Sequence, residues 1–240
     1  MRCALLMMGT LALAAVWLTP VPQFAQHAFW AHMTMHMVVV AVAAPLLALG
    51  VAGGRLDPVR RAPRLLAPIP LSVVELIVVW AWHAPHFHSL ARESIVGLIA
   101  EQGSFLLSGL VVWLSAFGGD PVNAASRRAA GIVALLLTSM HMTLLGALIA
   151  LAPRPLFLHP GAHALEAHSA LTPLDDQHLG GAIMLLVGGV SYLAGGVWLT
   201  FGLMRSATLK ATTLRTGEQP CLSAGTSPLR SDSNLPHDAL

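Results

Sequence analysis

Between Ile95 and Phe117 the chain carries a single charged side chain, Glu101, and stretches of the same apolar character recur from end to end. A run of this kind cannot cover a water-facing surface. At about 1.5 Å of rise per helical residue it is long enough to cross a hydrocarbon layer of about 30 Å. Six such spans are read, over residues 3–19, 32–51, 68–83, 95–117, 129–151 and 179–204. The breaks between them hold residues that end helices: Pro20 and Pro22, Gly53 and Gly54, Pro85, Gly118 and Gly119, Pro153 and Pro155. Only 10% of the 240 residues are charged, against roughly 25% in a soluble domain. No short alternation of apolar and polar residues repeats along the chain, which argues against a barrel. The expected fold is all-α: a polytopic membrane helix bundle of about six transmembrane helices over 1–204. The tail, 205–240, is rich in Ser, Thr and Pro and is expected to be disordered.

The first span has a competing reading as a secretory signal, with Arg2 ahead of "ALLMMGTLALAAVWL". The following "VPQFAQHA" offers no clean small-x-small cleavage site, so we read a retained helix. Orientation follows from the basic residues, which short cytoplasmic loops retain. With the N-terminus inside, the inner segments hold Arg2, Arg55, Arg60, Arg61, Arg64, Arg127, Arg128, Arg205, Lys210, Arg215 and Arg230, and the outer loops hold Arg92 and Arg154. Both termini are therefore expected in the cytoplasm. Net charge is only +2 and the cations lie between the spans rather than in one patch, which speaks against nucleic acid as a partner. Two cysteines, Cys3 and Cys221, form no CxxC pair, so neither thiolate metal capture nor a disulfide framework is supported.

Twelve histidines can then be placed on a topology drawn without them. His27, His32 and His36 fall at the outer end of the second span, and His83, His86 and His88 where the third emerges. His141 lies midway along the fifth. His159, His163, His168 and His178 fall in the last outer loop and at the start of the sixth span, and His237 in the tail. On a helix His32 and His36 are four residues apart and share a face. Met33 and Met37 repeat that spacing about 100° round the helix. The phrase "SMHMTLLG" puts Met140, His141 and Met142 at membrane depth, where a titratable group is a functional candidate by default. Imidazole binds late transition metals and thioether sulfur selects soft Cu(I). Plainer readings stand beside these: an interfacial histidine pair, methionines as packing, loop histidines that are merely solvated. Glu101 needs a partner in the bilayer, which a histidine or a metal ion could supply. Asp175 and Asp176 precede His178 at a helix start, where acids also suit the helix dipole. Glu75 meets the same energetic demand with no histidine at its level and is left unassigned. "GGVSYLAGG" in the sixth span suits close helix packing, or contact between copies.

Several phrases resemble one family. "HMTMHMVVVAVAAPLLALG", "WAWHAPHFHSLA", "FLLSGLVVW", "HMTLLGALIALAPRPLF" and "LTPLDDQHLGGAIM" are similar, in order and spacing, to CtaG-type cytochrome c oxidase assembly factors. The likeness covers about residues 28–200. It implies a multi-helix protein of the bacterial inner membrane that aids maturation of a haem-copper oxidase by delivering or holding copper. Carried over by position, its marked residues fall on His32, Met33, His36, Trp82, His83, Glu101, His141, Met142, Asp176, Gln177 and Met184. The pattern departs at Gln102, where relatives often place histidine, and at Leu185, where tryptophan is common.

The combined expectation is a copper-binding assembly factor rather than an enzyme. The ligands are expected to be His32, His36, His83 and His141, with Met33 and Met142 as softer candidates. Glu101, Asp176 and Gln177 would orient them from behind. Its partners would be an oxidase subunit and a periplasmic copper donor. The principal alternative is a membrane electron carrier with haem between two histidines such as His36 and His141. A metal-dependent hydrolase has no HExxH motif to support it, and a transporter has no inverted repeat.

Overall fold

The computed structural model describes residues 1–120, 124–157 and 171–217, with side chains described to residue 208. The chain divides into two units, Met1–Leu203 and Met204–Leu240, and the first holds the bundle. Its helices are α1 (Arg2–Trp17), α2 (Val21–His27), α3 (Phe29–Met37), α4 (Ala44–Val51), α5 (Pro68–Trp82), α6 (Pro85–Glu93), α7 (Ile95–Phe117), α8 (Ala124–Ala150) and α9 (Pro173–Ile183). The last helix, α10 (Gly189–Gly217), runs on into the second unit. No strand occurs among the described residues. Most of the tail expected over 205–240 lies outside them.

Four helical stretches are long and apolar enough to cross a membrane: Phe29–Val51, Ile95–Phe117, Ala124–Ala150 and Pro173–Thr208. The expected first and third spans turn out differently. Helices α1 and α5 have 16 and 15 residues, which reach only about 22–24 Å. Each is continued by a second helix after a bend, 54° between α1 and α2 and 73° between α5 and α6. The bends fall at Pro20 and Pro85, where the missing N–H and the proline ring stop the helical ladder. Counting each bent pair as one span gives six; the protein is a multi-pass membrane protein with four to six crossings.

Helix α7 is the hub, packing against α4, α5, α6 and α8. Its start is fixed by Ser94, whose side chain accepts from Gly97 N at 2.9 Å. Its far end is tied down by buried Asp57. That carboxylate accepts from the backbone N–H groups of Gly53, Val59 and Gly119, at 2.8, 2.9 and 2.8 Å. Gly53 and Gly119 both have positive φ (67° and 99°), a backbone that glycine adopts without penalty. Large apolar side chains such as Ile77, Val96, Leu107, Val190 and Phe201 stand exposed on the outside. In water such a surface would aggregate; in lipid it needs no cover.

Two of the long stretches are interrupted by π-helical turns, Val38–Ala43 between α3 and α4 and Met184–Gly188 between α9 and α10. Such turns concentrate at functional sites. Met37 immediately precedes the first and Met184 opens the second. A Cβ placed on Gly188 would stand 3.4 Å from Met37 Sδ, so the two interrupted stretches meet there.

Candidate metal centre

The helical spacing of His32 and His36 does what the sequence leads one to expect. Both rings leave the same face of α3, with centroids 4.3 Å apart, and both are buried. They meet Glu101 on α7, itself fully buried. His32 Nε2 lies 3.3 Å from each carboxylate oxygen, and His36 Nε2 lies 3.5 Å from Oε1. One ligand atom from each of the three residues lies within 4.8 Å of the other two, the only such His/Cys/Asp/Glu group among the described residues. Gln102, next to Glu101, donates from Nε2 to His36 Nδ1 at 2.5 Å.

Two further histidines close round this group. The His83 ring, at the end of α5, is 5.7 Å from that of His36. The His88 ring, on α6, is 5.0 Å from that of His32. His83 stands before the bend at Pro85 and His88 after it, so the 73° turn lets both rings approach α3. His88 packs against both Phe29 and Phe157, whose rings stack on each other 4.9 Å apart. Two turns of sequence would not have shown this, because His83 and His88 straddle a helix break and share no helical face. His88 is therefore a site residue that spacing alone could not find. Gln102 was legible only as a departure from a pattern.

The residues expected behind the ligands have clear jobs. Asp176, in the first turn of α9, accepts from Phe29 N at 2.7 Å and from Trp30 N at 2.8 Å. It caps the start of α3 from another helix, and so sets the height of His32 and His36. Gln177 accepts from Leu156 N at 2.6 Å and donates to Ile149 O at 3.2 Å. It ties the end of α8 and the segment after it to α9, which holds Phe157 against His88. Arg92, buried on α6, donates to Gln26 O at 3.0 Å. Asp175 belongs to the local cap of α9, accepting from Thr172 Oγ1.

The other expected ligands are distributed less simply. Met142 lines a tight crevice beside the centre, with His36, His83, Met37 and Met184, and the crevice has no space for a water molecule. Met33 is fully buried where α3 packs on α9; its Cγ would stand 3.0 Å from a Cβ on Gly180. His141 is buried on α8 with both ring nitrogens lacking a hydrogen-bond partner, and it belongs neither to the three-residue group nor to the crevice lining. His27 and His86 are exposed, and His178 bonds through Nε2 to Ala152 O at 3.0 Å. His159, His163 and His168 lie outside the described residues.

What marks the centre chemically is its surplus of unpaired polar atoms. His36 Nε2, His83 Nε2, both nitrogens of His88, Glu101 Oε2 and Gln102 Oε1 are all buried without a hydrogen-bond partner. Each such atom costs about 1–3 kcal/mol, and most buried polar groups in proteins are satisfied. Glu75, the other carboxylate buried between the helices, shows the contrast. It accepts from Tyr192 Oη and, at 3.1 Å, from Thr138 Oγ1. One buried acid is closed off by hydroxyls; the other is left open among imidazoles.

These features define a multi-pass helical membrane protein whose interior holds converging imidazole, carboxylate and thioether groups. The chain belongs to the cytochrome c oxidase caa3 assembly factor family (Caa3_CtaG), whose family model matches residues 1–206. No curated protein and no solved structure matches it.

Proposed function

We propose that this protein binds a copper ion at His32, His36 and Glu101 and makes it available to a subunit of the oxidase that its family assembles. The observation that carries this reading is the set of unpaired atoms just described. His36 Nε2 lies 3.5 Å from the Glu101 carboxylate, whose Oε2 has no partner, and a cation held between the two helices would satisfy both at once. Imidazole and carboxylate suit Cu(II) or Zn(II), and the thioethers next door favour Cu(I). Among metals that an oxidase requires, copper alone fits both halves of that donor set. Gln102 supports the assignment with its amide turned over: Oε1, which has no partner, then accepts from His36 Nδ1–H and leaves Nε2 free to coordinate.

The orientation expected from the basic residues puts the centre toward the periplasmic side of a bacterial inner membrane, where a periplasmic donor could load it. The protein then acts as a holder and carrier of its cargo, with no bond made or broken in a substrate. Copper is preferred over haem because the donor set joins imidazole and carboxylate to neighbouring thioethers, a mixture that suits a single ion.

The test is metal retention. Full-length protein purified in detergent and loaded with Cu(II) should keep about one copper per chain, as a single three-residue centre requires. The His36→Ala, Glu101→Gln double variant should lose it while keeping its helical circular dichroism and its elution volume. A folded double variant that holds copper as tightly as the parent overturns the assignment.

A further inference from the structure

The crevice below the His/Glu centre has a chemistry of its own. Eight residues line it: His36, Met37, Val40, Val79, His83, Phe105, Met142 and Met184. Three of them carry thioethers, and they come from three different stretches of chain. Met37 closes α3, Met142 lies on α8 and Met184 opens the π-helical turn after α9. Apart from the two histidines and the three sulfurs, every lining side chain is hydrocarbon or phenyl.

His83 enters this crevice in a defined state. Its Nδ1 lies 2.7 Å from the carbonyl oxygen of Val79 on its own helix. A carbonyl can only accept, so Nδ1 carries the proton and the neutral ring presents its lone pair at Nε2. That Nε2 is buried and has no partner. An imidazole whose far nitrogen donates to a backbone carbonyl, and whose other nitrogen is buried and unpaired at the crevice wall, has the arrangement metal-ligating histidines adopt.

We infer that His83 Nε2 and the thioethers of Met37, Met142 and Met184 form a second seat for the same ion, softer than the first and selective for Cu(I), with His36 shared between the two. This rests on the reading of the His/Glu centre as a copper site. Sulfur ligands without charge hold a monovalent soft ion well and a divalent borderline ion poorly. A dry crevice favours low coordination, which Cu(I) tolerates. The pair of seats lets an ion move between a carboxylate-imidazole set and a thioether-imidazole set across one ring, without passing through water. Methionines as packing alone would explain the buried volume; they would not explain the tautomer-fixed, unpaired His83 among them.

Selectivity separates the two roles. Affinities for Cu(I) and for Zn(II) are measured by chelator competition on the full-length protein and on two variants. Replacing Met37, Met142 and Met184 together by leucine keeps the volume closely. It should weaken Cu(I) by about tenfold or more and leave Zn(II) unchanged. Glu101→Gln should weaken Zn(II) by about the same factor. Should the triple variant lose affinity for neither ion, or for both equally, the soft seat is overturned. Zn(II) affinity that survives Glu101→Gln is a different failure, that of the His/Glu centre. X-ray absorption at the copper edge of the Cu(I)-loaded protein, in a Cys3→Ser, Cys221→Ser background, gives a reading that needs no methionine variant to fold. A sulfur scatterer in the first coordination shell is expected, and a shell of nitrogen and oxygen alone overturns the proposal.

Discussion

Glu75 and Glu101 pose the same problem at the scale of single residues, a carboxyl group buried between apolar helices. Their solutions differ in a way that only neighbours from distant parts of the chain decide. Tyr192 and Thr138 complete the shell of Glu75, while Glu101 meets two imidazoles and keeps an unbonded oxygen. Asp176 shows how a charged residue can serve a site it never touches, since its two bonds go to the backbone of Phe29 and Trp30. Asp176→Ala leaves two N–H groups at the head of α3 unpaired and should cost about 1–2 kcal/mol of stability, the loss typical of a helix cap. Asp176→Asn keeps an acceptor and should recover most of it. Thermal melts in detergent compare the three proteins, and an alanine variant as stable as the parent would remove the capping role.

Glycine decides how close the helices come at the scale of elements. A Cβ on Gly181 would stand 2.5 Å from Ala150 N and 2.8 Å from Ala150 Cα, and one on Gly146 would stand 2.6 Å from Leu185 N. These obstacles are backbone, which cannot rotate aside, so α8 and α9 would have to separate. Gly181→Ala should therefore destabilise the protein by about 1–3 kcal/mol, the usual cost of overpacking. Gly103 on α7 has nothing within 4 Å of the same position. Gly103→Ala should be neutral or stabilising, by up to about 1 kcal/mol, through helix propensity alone. Equal melting temperatures for the two variants would show that the close approach of α8 and α9 is not what limits stability. The bends before α2 and α6 belong to this scale too. A proline names the place of a break, but the 73° turn that brings His88 against His32 depends on what α6 packs upon.

The arrangement of charge governs the placement of the whole molecule in its membrane. Eleven of the 13 basic residues lie in segments that the spans read from the sequence put on one side, and by the positive-inside rule that side is expected to be the cytoplasmic one. A cysteine introduced at exposed Leu65 should accordingly be protected from a membrane-impermeant maleimide added to spheroplasts, while one at exposed Pro153 should react. Both are made in a Cys3→Ser, Cys221→Ser background. The opposite labelling pattern would invert the topology and put the candidate metal centre on the cytoplasmic side.

The membrane bundle was legible in the sequence because hydropathy is a local property. The length of a span and the residues that end it lie side by side in the chain, and Ile95–Phe117 was read to the residue. The pairing of His32 with His36 was legible for the same reason, since one helix repeats every 3.6 residues. Tertiary structure alone decided that Glu101 stands opposite them, that His88 joins from beyond a bend while His141 does not, and that three methionines line one crevice. Convergence of side chains from separate helices depends on how those helices rotate and pack, and no spacing within any one of them encodes that.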